Sequence, residues 1–397
     1  MEGETVTGHF DVVVVGGGPS GSTCARLCAE QGLSVCLLEE HASAGIPVQC
    51  AGLLSLAAFE ECSVTHSCII ATVRGARIVS SLGPVLSFDA GVPKAYVVDR
   101  AILDREMLAR AARAGAEIRM KTAFFRRQGH SIVTRGVRGK EEISFRVLVG
   151  ADGAASRVAR ETGMPRPAHV LAGLQADIVR EMEGGLVEIH PDASPDFFGW
   201  AIPIGPGRAR VGLAGLGDVR TNFSRFLNRF LGDGHQASVQ LVSGAIPIGP
   251  RARTYGNRVL LVGDAAGMAK PTSGGGVYTG VRAARHAARV IGEAVRRDNF
   301  SDDALSLYEK AWRADFGREI LLGLRLFEAR RKMTPGDIAG IIRALDNPGI
   351  IRDIVALGDI DRPGKIVRRL ATRPELFPLV GTIIRSMVLK NFNKNIF

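Results

Sequence analysis

The chain has 397 residues, 46% hydrophobic and 23% charged, which suffices for a large buried core and excludes a disordered or low-complexity chain. The formal net charge of +11 is uneven: residues 1–60 carry −6, residues 251–300 carry +6 and residues 301–397 carry +5. A basic C-terminal third suits an anionic partner such as a membrane surface, a phosphate-bearing substrate or an acidic protein. Nucleic acid is not expected, because aromatics make up only 6% and no recognition motif accompanies the charge.

Met1–Gly8 reads as a disordered start, with Glu2 and Glu4 where a signal peptide would carry lysines. A cytoplasmic location follows, with peripheral membrane contact left open. Phe10–Val15 is a short, continuous β-branched run, the pattern of a strand buried on both faces. Gly16, Gly18 and Gly21 follow at once in GxGxxG spacing. Ser22–Gly32 reads as a helix, Leu33–Leu38 as a second strand, and Glu39 stands eighteen residues after Gly21. Gly16 permits the tight turn, Gly18 lets the backbone approach a pyrophosphate, and Gly21 lets helix and strand pack closely. The helix N-terminus then faces the phosphates, and Glu39 can accept hydrogen bonds from ribose hydroxyls. Strand, glycines, helix and acid in this order point to a bound dinucleotide.

All six cysteines precede residue 69. No CxxC pair and no His/Cys spacing suits a metal, so no metal site is expected. Cys24, Cys28 and Cys36 read as small core residues, and a Cys62–Cys68 disulfide is disfavoured in a cytosolic chain.

Further along, Val97–Asp104 leads into a helix over Arg105–Ala114. Arg146–Gly153 reads as a strand ending in a turn, followed by Ser156 and Arg157. Arg258–Gly267 is another buried strand, ending in Gly263-Asp264, with Pro271 and Gly274-Gly275-Gly276 before a helix. Val277, Val281, Ala284, Ala288, Ile291 and Val295 form the apolar stripe of that helix. Arg282, Arg285, Arg289 and Arg296 lie off the stripe, on a face read as solvated.

In this order, over nearly the first 300 residues, these segments resemble the FAD-dependent oxidoreductases of the para-hydroxybenzoate hydroxylase type. The resemblance implies FAD as cofactor. It assigns Arg100 to the phosphates, Asp264 to the ribityl chain, and Gly276 and Val277 to the isoalloxazine. It gives Asp152 a supporting role and adds Ser20, Ala51 and Ala123 to the cofactor shell. No second GxGxxG follows a strand, so reducing equivalents would come from outside, from NAD(P)H or a ferredoxin-like protein.

Two other segments narrow the chemistry. Gly45–Leu53 contains Cys50, and Pro195–Pro203 reads Pro-Asp-Phe-Phe-Gly-Trp-Ala-Ile-Pro. Together they resemble the geranylgeranyl reductase family, especially the archaeal enzymes that saturate the isoprenoid chains of membrane lipids. That family carries a cysteine loop near the flavin and a Pro-x-x-Tyr-x-Trp-x-Phe-Pro segment. Pro195, Trp200 and Pro203 match, whereas Phe198 and Ile202 replace the usual tyrosine and phenylalanine. The resemblance places Cys50 at the cofactor and makes it the candidate catalytic residue. A prenyl chain needs a long apolar slot. On a strand Phe198 and Trp200 share one face and Phe197 the other, which makes Phe198 and Trp200 the candidate substrate wall.

The expected architecture is α/β (α+β). A Rossmann-type FAD-binding domain would draw on residues 1–69, 98–164 and 251–300. Residues 70–97 and 165–250 would form an antiparallel-sheet substrate domain, and 301–397 a C-terminal helical region. In that region Pro348, Pro363 and Pro374 read as turns. Leu376–Phe397 reads as an apolar segment, interrupted by charge, that closes the site or lies on a membrane. The expected activity is FAD-dependent hydrogenation of geranylgeranyl groups on a prenylated lipid. A monooxygenase or halogenase on the same scaffold, and a flavin- or lipid-binding protein without turnover, remain as alternatives.

Overall fold

The computed structural model describes residues 6–231 and 238–377. The opening strand starts at Val6, so Val6–Gly8 belong to the sheet rather than to a loose tail, while Met1–Thr5 lie outside the described residues. Val6–Val15 sits at the centre of a mixed eight-stranded sheet. Its neighbours are Gly139–Gly150 and Val35–Leu38, both parallel, with Val14 opposite Val149 on one side and Leu37 on the other. Val259–Leu261 and Glu117–Arg119 extend the parallel set outward. Val12, Val13 and Val14 are fully buried, because helices cover both faces of a parallel sheet.

Helix Pro19–Ala29 and helix Val277–Arg296 pack together against this sheet, sharing a core with Cys24, Cys28 and Cys36. All six cysteines are free. The helix after Val97-Val98 begins at Arg100 rather than Arg105, because Asp99 caps it by accepting from Ala101 N–H at 2.8 Å and Ile102 N–H at 3.1 Å.

A second sheet has seven strands, in the order 238–248, 169–179, 208–215, 199–203, 186–190, 75–79 and 85–89. It is antiparallel except where Leu186–His190 runs parallel to Gly75–Val79, a pair drawn from distant stretches of the chain. Helix Val219–Leu231 lies against it, burying Val219, Phe223 and Phe226. That i, i+4, i+7 spacing is a helical signal inside residues 165–250, a stretch expected to form an antiparallel sheet. A small sheet of Leu53–Ser55, Ala95–Val98 and Ile69–Val73 joins the two larger ones.

The C-terminal region is helical as far as it is described. Helix Asp302–Trp312 passes through a π-helical turn, Arg313–Gly317, into helix Arg318–Arg330. Helices Pro335–Leu345 and Pro348–Leu357 each start on their proline, which has no N–H to leave unpaired at the first helical position. Pro348 therefore begins a helix and does not merely mark a turn. Residues 378–397, most of the expected C-terminal apolar segment, lie outside the described residues. Among the described residues no helix is long and apolar enough to cross a membrane.

The arginines of helix Val277–Arg296 correct the expectation of a plainly solvated face. Arg282 pairs with Asp315 and Glu61, each at 2.7 Å, and Arg285 pairs with Glu61. Asp315, on the π-helical turn, also binds His286 at 3.0 Å and Arg362 at 2.9 Å. These two arginines tie the helix to its neighbours, whereas Arg296 is exposed.

Candidate active site

A continuous cavity of about 2280 Å³ runs between the two large sheets and under the C-terminal helices. Ordinary small-molecule pockets hold about 300–1,000 Å³, so this one has room for a dinucleotide and a second molecule together. Gly16, Gly18, Ser20, Glu39, Cys50, Ala51, Arg100, Ala123, Asp152, Asp264, Gly276 and Val277 all line it, as do Phe198 and Trp200. Gly21 does not. It is buried where a Cβ would stand 1.9 Å from the Gly16 carbonyl oxygen, so its absent side chain serves strand–helix contact.

Gly18 is the reverse case: a Cβ there would meet nothing within 4 Å, leaving bare backbone facing the cavity. It is also the N-cap of helix Pro19–Ala29 and offers no side-chain cap, so the first-turn N–H groups after Pro19 have no partner within the helix. The N-terminus of the twenty-residue helix Val277–Arg296 is likewise uncapped, with Gly276 before it. Two helix ends with unclaimed donors suit an anionic or electron-rich ligand.

Asp264 supplies the complementary feature. Among the described residues no hydrogen bond reaches its carboxylate, and burial pushes its acid up to about 6 against the opposing pull of Arg100. An unpartnered, partly exposed carboxylate bordering a cavity calls for hydroxyl donors from a ligand. A ribityl chain provides them, so these residues fit FAD.

The other expected residues show more specific surroundings. Glu39 is 7% exposed, and its oxygens are already engaged: Oε2 accepts from Gly17 N–H at 2.8 Å, Oε1 from His41 N–H at 2.9 Å. His41 Nδ1 lies 2.7 Å from the same Oε1. Arg100 is clamped by Asp104 through two bonds of 3.0 and 2.9 Å. Burial works against its charge, but Asp104 and then Cys50 outweigh burial and hold the guanidinium protonated above its ordinary range. Asp152 accepts from Ser156 Oγ at 2.6 Å and Val158 N–H at 2.9 Å, bracing the turn after strand Gly139–Gly150.

Cys50 is partly exposed, with Gly52 N–H 3.4 Å from its sulfur. The seven-stranded sheet fixes its backbone: Gln175 Nε2 donates to the Cys50 carbonyl at 3.3 Å, and Arg210 Nη1 to the Ala51 carbonyl at 3.0 Å. Arg210 is itself held by Asp177 at 2.6 and 2.8 Å. Neither Gln175 nor Arg210 was legible beforehand, since both act across more than a hundred residues of chain.

The aromatic segment differs from the expected pleat. The strand begins only at Gly199, so Phe197 and Phe198 precede it and their rings lie 4.3 Å apart, centroid to centroid. Phe197 therefore joins Phe198 and Trp200 in one apolar cluster instead of pointing to the other face. Arg330, from helix Arg318–Arg330, secures this segment by donating to the carbonyls of Pro191, Ser194, Pro195 and Phe197. Among the described residues no group of three or more His, Cys, Asp or Glu could hold a metal ion.

Known proteins place this geometry. A family model described as an FAD binding domain matches residues 9–182, and one described as lycopene cyclase protein matches 217–346. Digeranylgeranylglycerophospholipid reductase 2 of Methanothermobacter thermautotrophicus is 31% identical, covering 94% of this chain and 100% of its own. The protein of the same name from Methanopyrus kandleri is 32% identical, covering 87% of this chain and 92% of its own. A solved geranylgeranyl bacteriochlorophyll reductase-like protein from Thermoplasma acidophilum superposes with a TM-score of 0.79 at 25% identity, covering 91% of this chain and 98% of its own. A flavin-dependent brominase superposes with a TM-score of 0.69 at 17% identity, a likeness of fold alone. With relatives this similar along almost their whole length, the chain belongs to the digeranylgeranylglycerophospholipid reductase family of FAD-dependent oxidoreductases.

Proposed function

We propose that this chain hydrogenates the isoprenoid double bonds of geranylgeranyl groups carried on a membrane glycerophospholipid. The observation that carries this reading is the continuity of the cavity: one space joins the fingerprint glycines and Asp264 to the apolar wall of Phe197, Phe198 and Trp200. Bound FAD supplies two-electron, hydride-transfer chemistry. The chain's own residues bind, orient and exclude water. Gly16, Gly18 and Ser20 hold the pyrophosphate end with the first helix N-terminus, Arg100 balances its charge, and Asp264 accepts from the ribityl hydroxyls. Glu39, Ala51, Ala123, Gly276 and Val277 complete the cofactor shell.

An isolated trisubstituted alkene accepts hydride poorly, because nothing withdraws electrons from it. Addition of one hydride and one proton saturates it, so the site must hold a proton and keep water from the developing charge. Cys50 Sγ is our assignment for that proton. Arg210 holds the loop that carries the sulfur by donating to the Ala51 carbonyl. The aromatic wall keeps the chain in register and the site dry. Reducing equivalents come from an external donor, a nicotinamide or an acidic ferredoxin-like protein. The lipid's origin calls for peripheral contact with a membrane.

Two measurements test the reading. Chemically reduced, FAD-loaded protein incubated anaerobically with geranylgeranyl glycerophospholipid should yield lipid heavier by one H₂ per saturated bond. Lipid that gains oxygen or halogen in air, and nothing without it, would turn the assignment to the oxygenase reading. Cys50→Ala and Cys50→Ser should keep FAD and lose turnover at least tenfold; unchanged rates would remove Cys50 from the chemistry.

A further inference from the structure

Lys270 and Asp361 form a buried ion pair in the cavity wall, contributed by parts of the chain that meet only in the fold. Lys270 is 7% exposed and Asp361 3%. The ammonium also donates to the Ile360 carbonyl at 3.3 Å, while the second oxygen of Asp361 accepts from Ser55 Oγ. The backbone of Lys270 organises the glycine turn. Its N–H donates to the Gly275 carbonyl at 3.0 Å, and its own carbonyl accepts from Gly274 N–H at 2.8 Å. A Cβ on Gly275 would stand 3.5 Å from Lys270 Nζ, so the charge lies directly beside the turn that precedes the uncapped helix Val277–Arg296.

Clamping alone does not account for this pair. A buried ion pair is a weak stabiliser, because desolvation offsets much of its attraction, and two apolar side chains would fasten the Gly358–Asp361 loop as well. That loop has a separate fastening in any case: Arg362 binds Asp315 at 2.9 Å and Tyr278 Oη at 3.0 Å, and Gly364 N–H binds Glu319 at 2.8 Å. What the ion pair adds is a fixed positive charge beside the glycine turn, held by a countercharge on the Gly358–Asp361 loop. Asp264 borders the same turn from below Gly276 and Arg100 acts on Asp264, while Arg362 is turned toward Asp315.

We propose that Lys270 tunes the preference of the site for reduced over oxidised FAD, and that Asp361 is the positioning residue that sets how much of its charge is felt. The proposal rests on the assignment of this cavity to FAD. A reduced flavin carries more negative charge than an oxidised one, so a cation favours the reduced form and an anion the oxidised form.

The test is the midpoint potential of bound FAD, by dye-linked anaerobic titration of the loaded protein. Asp361→Asn removes the countercharge and should raise the potential. Lys270→Met removes the cation and exposes the site to Asp361, and should lower it. Each change should alter the reduced-to-oxidised affinity ratio about tenfold, which for a two-electron couple is ~30 mV. A purely structural pair would weaken FAD binding in both variants without moving the potential in opposite directions. Where Lys270→Met fails to fold, Lys270→Met/Asp361→Leu removes both charges and should still lie below wild type. Potentials equal to wild type in Asp361→Asn and in the double variant overturn the proposal and leave the cavity's assignment intact. A wild-type protein that binds no FAD overturns that assignment first.

Discussion

Both carboxylate oxygens of Glu39 are engaged within the chain, on Gly17 N–H and on His41. Their loss is felt with or without a cofactor. Glu39→Ala strands a buried N–H of the fingerprint loop, at a cost of about 1–3 kcal/mol, and should lower the unfolding free energy read from urea titration by that amount, with a matching drop in the midpoint. An unchanged midpoint would mean that the loop is braced elsewhere. Asp264 makes a different prediction, because its ionisation falls near neutrality. Burial raises its acid to about 6, so the carboxyl is mostly neutral below that pH and charged above it. Hydrogen bonds to a charged carboxylate are roughly twice as strong as neutral ones. FAD affinity should therefore rise several-fold between about pH 5 and pH 7 in the wild type and stay flat in Asp264→Asn, as read by flavin fluorescence quenching. Parallel curves for the two proteins would remove Asp264 from cofactor binding.

At the scale of elements, the glycines of the opening motif have separate tasks and should fail differently. Gly18 has a φ of −71° and open space where its Cβ would be, so Gly18→Ala should fold with an unchanged melting temperature. Its methyl group occupies cavity space at the helix N-terminus, and FAD affinity should fall at least tenfold. Gly21→Ala drives a methyl into the Gly16 carbonyl and should cost ~3 kcal/mol or more, giving poorly soluble protein whether or not FAD is supplied. Equal melting temperatures for the two variants would contradict this division. The whole unit was readable in sequence because its signals are local: a β-branched run, three spaced glycines and a helix within thirty residues. Helix starts at Arg100, Pro335 and Pro348 were harder to read. An Asp cap or a proline marks such a start only once it is known that the chain continues as helix rather than turning. The pleat expected for Phe197 and Phe198 failed for a related reason, since period-two alternation holds only within a strand and theirs begins one residue later.

Across the whole molecule, the cavity exists because three stretches of chain close around it, and here sequence reading had least to work with. Gln175 and Arg210 hold the Cys50 loop, Arg330 holds the aromatic segment, and Asp361 meets Lys270 ninety-one residues away. Separations of that order carry no periodic or spacing signal. Glycines on the seven-stranded sheet offer a direct test of what the assembled space is for. Gly173 and Gly244 stand opposite each other on strands His169–Val179 and Ser238–Ile248, and both line the cavity. Residues directly opposite in an antiparallel pair share a face, so this patch of sheet is bare backbone. A Cβ on Gly244 would meet nothing nearer than the Gln49 carbonyl oxygen at 3.5 Å, an ordinary contact. Gly244→Leu should therefore fold as well as wild type, since glycine is a poor strand residue to begin with. Its side chain takes up room in the cavity, away from the fingerprint glycines. FAD content should be unchanged, while turnover of a geranylgeranyl lipid falls at least tenfold and that of a shorter, farnesyl-bearing analogue falls less. A loss equal for both chain lengths would mean that the bare patch faces something other than the prenyl tail.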